Sequence, residues 1–161
     1  MKNLILIRHA KSSWDLPVLD KERPLAHKGI KDAYLMSEKV LGYLPNSFVF
    51  WSSTAQRASQ TAKIFAETLK CPPELIVFKD SLYTFDEKQL EEEIKKCNDR
   101  FDNLIVFGHN PAITDFVNEY GNIFLDNVKT CGFVSVLFDQ DKWKNISKGK
   151  VQKVIFPKDF K

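Results

Sequence analysis

Three short apolar runs in this chain end on side chains that can do chemistry. Leu4-Ile5-Leu6-Ile7 leads into Arg8-His9, Phe48-Val49-Phe50-Trp51 leads into Ser52-Ser53 with Arg57 close behind, and Leu104-Ile105-Val106-Phe107 leads into Gly108-His109-Asn110. Two histidines and two arginines make a cationic, donor-rich set. Arginine forks match the oxygens of a phosphate. A neutral imidazole among them can act as a nucleophile. The remaining donors would stabilise the equatorial oxygens of a phosphoryl group in transfer.

These residues act together only if the fold brings them together. The apolar runs alternate with helical patterns, which implies a mainly parallel sheet with helices on both faces. In such sheets ligands bind outside the carboxyl ends of the strands, which puts His9, Arg8, Arg57 and His109 on one rim. A helix is expected over residues 27 to 44, with Ile30, Ala33, Tyr34, Val40, Leu41 and Leu44 as its buried stripe and Pro45 as its stop. Ser53 to Gln56 reads as a capping box opening a second helix, buried through Ala55, Ala58, Ala62, Phe65 and Leu69. Leu75 to Phe78 reads as a strand, and Asp86 with Gln89 as the cap of a third helix. Asn110-Pro111 offers an N-cap and a proline at the first turn of a fourth. Val134 to Phe138 and Val151 to Phe156 suit an antiparallel closing pair joined by a turn at 139 to 142.

Each residue taken singly also has an ordinary role. His9 could be a satisfied strand-end histidine, Arg8 an ion-pair partner, Arg57 a solvated helix residue and His109 a helix cap. Their coincidence at one sheet edge favours the phosphoryl reading. His9 and His109 could instead be two metal ligands, but zinc usually takes a third protein ligand and the arginines oppose a cation. The chain of 161 residues suits one domain, residues 1–161, with 43% hydrophobic and 28% charged residues excluding a disordered chain. A net charge of +3 without a dense basic stripe argues against nucleic-acid binding. No apolar run is long enough to cross a bilayer, and Arg8-His9 cuts the first run too short for a signal peptide, so a cytoplasmic monomer is the default expectation. Cys71, Cys97 and Cys131 are odd in number and widely spaced, and read as small buried hydrophobes rather than a disulfide framework.

At the level of motifs the chain resembles the histidine phosphatase superfamily. Leu6-Ile7-Arg8-His9-Ala10-Lys11 is similar to its Arg-His-Gly strand end, with Ala10 in place of Gly. Ser53 to Ala62 resembles a Ser-Pro-x-x-Arg-Ala-x-Gln-Thr-Ala motif, with Thr54 in place of Pro. Val106 to Pro111 resembles the third motif, and Arg23-Pro24-Leu25 with Lys28-Gly29 looks like a segment of the SixA-type phosphohistidine phosphatases. The resemblance implies a phosphoglycerate mutase-like, three-layer α/β/α sandwich whose mainly parallel sheet has an antiparallel edge. It implies His9 as the phosphorylated nucleophile, Arg8 and Arg57 as ligands of the phosphoryl oxygens, and His109 as a donor to them. Arg23 and Lys11 would help hold phosphate or substrate, and no metal or other cofactor would be needed. The carboxylate general acid of larger relatives has no evident counterpart, because Asp86 reads as a helix cap and Glu87 as a first-turn acid. A phosphohistidine leaving group can spare that acid, so the expected partner is a histidine-phosphorylated protein. A small phosphorylated substrate, or phosphate binding without turnover, stays open.

Overall fold

The computed structural model describes residues 1–161. Six strands, β1 (Lys2–Arg8), β2 (Val49–Ser53), β3 (Ile76–Lys79), β4 (Asn103–Gly108), β5 (Phe133–Phe138) and β6 (Lys150–Ile155), form one sheet in the order β3-β2-β4-β1-β5-β6. β1 to β4 run parallel, β5 pairs antiparallel with β1, and β6 antiparallel with β5. The alternation of side chains in β1 divides the interior. Leu4 and Leu6 point to a core shared with α3 (Glu87–Lys95) and α4 (Ala112–Tyr120) through Leu90, Ile94, Phe116 and Val117. Ile5 and Ile7 point to the opposite core, where α1 (His27–Lys39) and α2 (Gln56–Leu69) contribute Ala33, Met36, Ala62 and Phe65. Each fully buried side chain of this kind contributes about 1.5–3 kcal/mol, so two facing cores hold the sheet flat between its helices. The architecture is the three-layer α/β/α sandwich with an antiparallel edge.

Five local expectations need correction. The first helix presents Ala33, Met36, Ser37 and Val40 inward, while Ile30, Tyr34 and Leu41 are exposed. Close approach decides this: a Cβ on Gly29 would lie 2.1 Å from the Lys11 carbonyl oxygen, so the helix turns its small residues to the loop after β1. Helix α1 also stops at Lys39 rather than 44, followed by a short 3-10 turn. Ser53 is the last residue of β2 and not a cap; Ala55 takes the N-cap position without a side-chain bond. The link between β5 and β6 is longer than a tight turn and buries Trp143, whose indole N–H donates to the Phe101 carbonyl at 2.7 Å. Of the cysteines, Cys97 and Cys131 are buried but Cys71 is only half-buried. No helix is long and apolar enough to cross a membrane.

Candidate active site

The carboxyl ends of β1, β2 and β4 do meet, because these three strands are neighbours in the sheet. His9 follows β1, and its amide donates to the Gly108 carbonyl at the end of β4 (3.1 Å), while its own carbonyl accepts from Cys131 N (3.0 Å). The rings of His9 and His109 lie 5.2 Å apart between centroids. Both are buried, as are Arg57 and Arg23.

The hydrogen bonds fix the chemistry of the two rings. His9 Nδ1 lies 2.7 Å from the Ala10 carbonyl oxygen. A carbonyl only accepts, so Nδ1 carries the proton and Nε2 keeps its lone pair. Burial pushes the His9 pKa down to about 4, and Arg57, Arg8 and Arg23 add to the fall against the opposing Ala10 bond. The ring is therefore neutral above about pH 4, with the Nε2 lone pair free. His109 Nε2 sits 2.8 Å from Ser53 Oγ, and that oxygen already accepts from the Ala55 amide at 3.1 Å. Where the hydroxyl gives its own proton to Nε2, the His109 proton lies on Nδ1. Burial, then His9, pushes the His109 pKa down to about 3. Ser53 thus serves His109 and is unavailable as a cap, which explains the correction above.

Three side-chain nitrogens here are buried without a partner: Arg8 Nε, Arg57 Nε and His109 Nδ1. Leaving a buried donor unpaired costs about 1–3 kcal/mol, more for a charged group. The rest of each arginine is anchored. Arg8 Nη1 donates to the Val128 carbonyl at 2.9 Å, and Arg57 Nη1 and Nη2 donate to the Asp20 carbonyl (2.7 Å) and Oδ2 (3.0 Å). Burial, then the neighbouring Arg57, lowers the Arg8 pKa. Paired cations with orphaned donors beside a neutral nucleophile suit an oxyanion bearing several acceptor oxygens. No group of three or more His, Cys, Asp or Glu side chains is placed to hold a metal ion.

Asp20 is the site residue that sequence reasoning missed. Its carboxylate also accepts from Arg23 Nε (3.2 Å) and from Tyr83 Oη (2.6 Å). The Tyr83 hydroxyl, followed by Arg57 and Arg23, outweighs partial burial and holds its pKa at about 2. An acid ionised down to pH 2 cannot protonate a leaving group near neutrality. Its one sequence signal is position, three residues before Arg23 in the segment that resembles SixA. Arg23 is brought into the cluster, with Nη1 also donating to Ser12 Oγ at 2.6 Å. Lys11 is not: its side chain is exposed, while its backbone carbonyl accepts from Ala26 N at 2.9 Å. The motif residues Gln60 and Thr61 turn out to be braces. Gln60 Oε1 accepts from Leu25 N (2.7 Å), and Thr61 Oγ1 accepts from Ala10 N (3.0 Å) while donating to the Arg57 carbonyl (2.7 Å).

The 80 to 90 segment supplies aromatic rings to the site. Tyr83 and Phe85 each pack edge-on against His109, with centroids 5.5 Å apart. Asp80 is bound to Thr54 Oγ1 and Lys21, and Asp86 caps α3 by accepting from Gln89 N. Glu87 is more than a first-turn acid, because burial and the neighbouring Glu119 raise its pKa to about 7, and its Oε1 is buried without a partner.

A sequence profile of the histidine phosphatase superfamily (branch 1) matches residues 4–82. Over those residues, just under half of the chain, the sequence is similar to that superfamily. An uncharacterised protein of Mycobacterium tuberculosis is 35% identical over 107 residues, which cover 66% of this chain and 64% of that protein. The likeness in fold spans nearly the whole chain: a structure of the protein histidine phosphatase SixA complexed with tungstate superposes with a TM-score of 0.82 at 20% identity, covering 99% of both chains. The mycobacterial glucosyl-3-phosphoglycerate phosphatase complexed with VO3 superposes with a TM-score of 0.69 at 12% identity, covering 95% of this chain and 98% of that one.

The tautomer assignment has a direct test. A ¹⁵N NMR titration of the ring nitrogens should find His9 neutral, with the proton on Nδ1, down to pH 5. The cationic form should appear only as pH falls through about 4. An apparent pKa near the ordinary 6.5 would remove the neutral nucleophile.

Proposed function

We propose that the protein is a phosphatase in which His9 Nε2 attacks the phosphoryl group and carries it as a covalent phosphohistidine. The observation that carries this reading is the set of orphaned buried donors, Arg8 Nε, Arg57 Nε and His109 Nδ1, around a neutral imidazole. In the first step the Nε2 lone pair forms the P–N bond as the bond to the leaving group breaks. In the second, water attacks phosphorus, Nε2 leaves with the electron pair of the P–N bond, and the proton lost by the water passes to solvent. The positively charged donors take the charge on the equatorial oxygens in both steps. The tungstate in the SixA structure and the VO3 in the mycobacterial phosphatase are oxyanions of the kind these donors suit.

The proposed substrate is phosphohistidine on a partner protein. The support is the state of the carboxyl groups. An alcohol leaves with a high pKa and gains roughly 10²–10⁴ in rate from a general acid. The one carboxylate in the cluster is held ionised at a pKa of about 2, and Asp80 and Asp86 of the 80 to 90 segment are bound elsewhere. An imidazole leaving group dispenses with that proton donor. Turnover of a histidine-phosphorylated carrier protein, measured beside a panel of sugar phosphates, is the test. The carrier should be preferred; faster hydrolysis of a sugar phosphate would favour the small-molecule reading, as in the glucosyl-3-phosphoglycerate phosphatase.

A further inference from the structure

The segment that delivers Asp20 and Arg23 to the site holds an apolar strip out in solvent. Trp14 is 77% exposed, Leu16 54% and Leu19 73%. The strip is fixed in place: Ser13 N donates to the Pro24 carbonyl at 2.8 Å, and Ser12 bridges to Leu25. Its inner end touches the site, because the Trp14 ring lies 3.5 Å from the Arg23 guanidinium carbon. In the same cluster, Phe85 packs on His109 yet remains 48% exposed. Exposed apolar surface gathered in this way marks a contact surface, and tryptophan anchors such contacts more often than most residues.

The flank beyond β5 has the opposite character. Lys28, Lys129, Lys158 and Lys161 line a recess of about 240 Å³, and the single carboxylate there, Asp32, is already paired with Lys161 at 2.7 Å. The recess adjoins the site through the backbone, since Lys129 and Thr130 lead into Cys131, whose amide bonds the His9 carbonyl. The rim is thus apolar on one side, cationic at the centre and basic on the other side.

We propose that this rim is the docking surface for a folded protein carrying phosphohistidine. Apolar side chains beside the phosphorylated residue seat on Trp14, Leu16, Leu19 and Phe85, and carboxylates on the far side face Lys28, Lys129 and Lys158. The proposal rests on the phosphohistidine reading above. Charge decides between occupants. A dianionic phosphoryl group complements the arginine cluster, whereas a second copy of this chain would press one cationic centre towards another. A sugar phosphate would bring hydroxyl groups to an apolar strip that offers them no hydrogen bonds.

The test compares free phosphohistidine with a panel of histidine-phosphorylated carrier proteins. The unmodified protein should favour at least one carrier over free phosphohistidine by about tenfold or more in kcat/KM, equivalent to ~1.4 kcal/mol of added contact. The double variant Leu16→Ser, Leu19→Ser should lose that preference through KM and hydrolyse free phosphohistidine at an unchanged rate. Lys158→Glu should act in the same direction. Equal kcat/KM for carrier and free phosphohistidine in the unmodified protein would overturn the docking surface and leave the phosphatase intact. So would an equal loss on both substrates in the double variant, or a dimer that the double variant dissociates in sedimentation. Hydrolysis of sugar phosphates with no turnover of either phosphohistidine would instead overturn the substrate reading on which the proposal rests.

Discussion

His9→Ala is expected to abolish turnover, with a loss on the order of 10⁴ or more, because removal of a nucleophile removes the covalent route altogether. The ring is held for the task from three sides. Its amide is pinned to the Gly108 carbonyl, its carbonyl to Cys131 N, and its Nδ1 to the Ala10 carbonyl. No other imidazole can take over, because His109 Nε2 is committed to Ser53 and His27 lies at the start of α1. Acid quenching destroys a phosphoramidate, so the intermediate should be trapped under alkaline conditions. The unmodified protein should then carry an acid-labile phosphate on His9, and the alanine variant none. His9→Ala is small and sits at a strand end, so the fold should survive, which circular dichroism checks. Full activity in that variant would eliminate the covalent mechanism while leaving the fold assignment untouched.

What the sequence made legible was the chemistry written in local words. Strand followed at once by Arg8-His9, or by Gly108-His109, places a side chain on the rim by the direction of the chain alone. Asp20, Tyr83 and Phe85 reach the same cluster from irregular segments, and no period or cap announces where such a segment will travel. Asp20 lies between Leu19 and Lys21 and reads as a surface acid until Arg57, Arg23 and Tyr83 are seen to close on it. The rotation of α1 failed to show for a related reason. Apolar periodicity favours Ile30 and Tyr34, but the backbone of Lys11 tolerates only Gly29 beneath it. Ser53 was open to two local uses, cap or ring partner, and only the arrival of His109 from β4 decides between them.

Arg57→Ala should be the second most damaging change, with kcat lowered by about 10²–10³, the usual loss when one preorganised donor to a transferring group is removed. Arg57 carries two duties. Its Nη1 and Nη2 hold the Asp20 segment, and its Nε is one of the orphaned donors. Arg57→Lys should recover little, because an ammonium cannot span the Asp20 carbonyl and carboxylate while presenting another donor to the site. Asp20→Ala separates the duties. If Arg57 merely anchored the segment, losing Asp20 would cost as much as losing Arg57. With Nε as a ligand of the phosphoryl group, Asp20→Ala should keep kcat within about tenfold, a cost of ~1.4 kcal/mol, and should retain inhibition by vanadate. Arg57→Ala should lose vanadate inhibition together with turnover. Its His9 should also titrate at higher pH, since the Arg57 charge is one of the forces that lower it. An Arg57→Ala protein that kept its kcat, or a pair of variants equally impaired with vanadate binding intact, would reduce Arg57 to an anchor and return the phosphoryl contacts to Arg8 and His109.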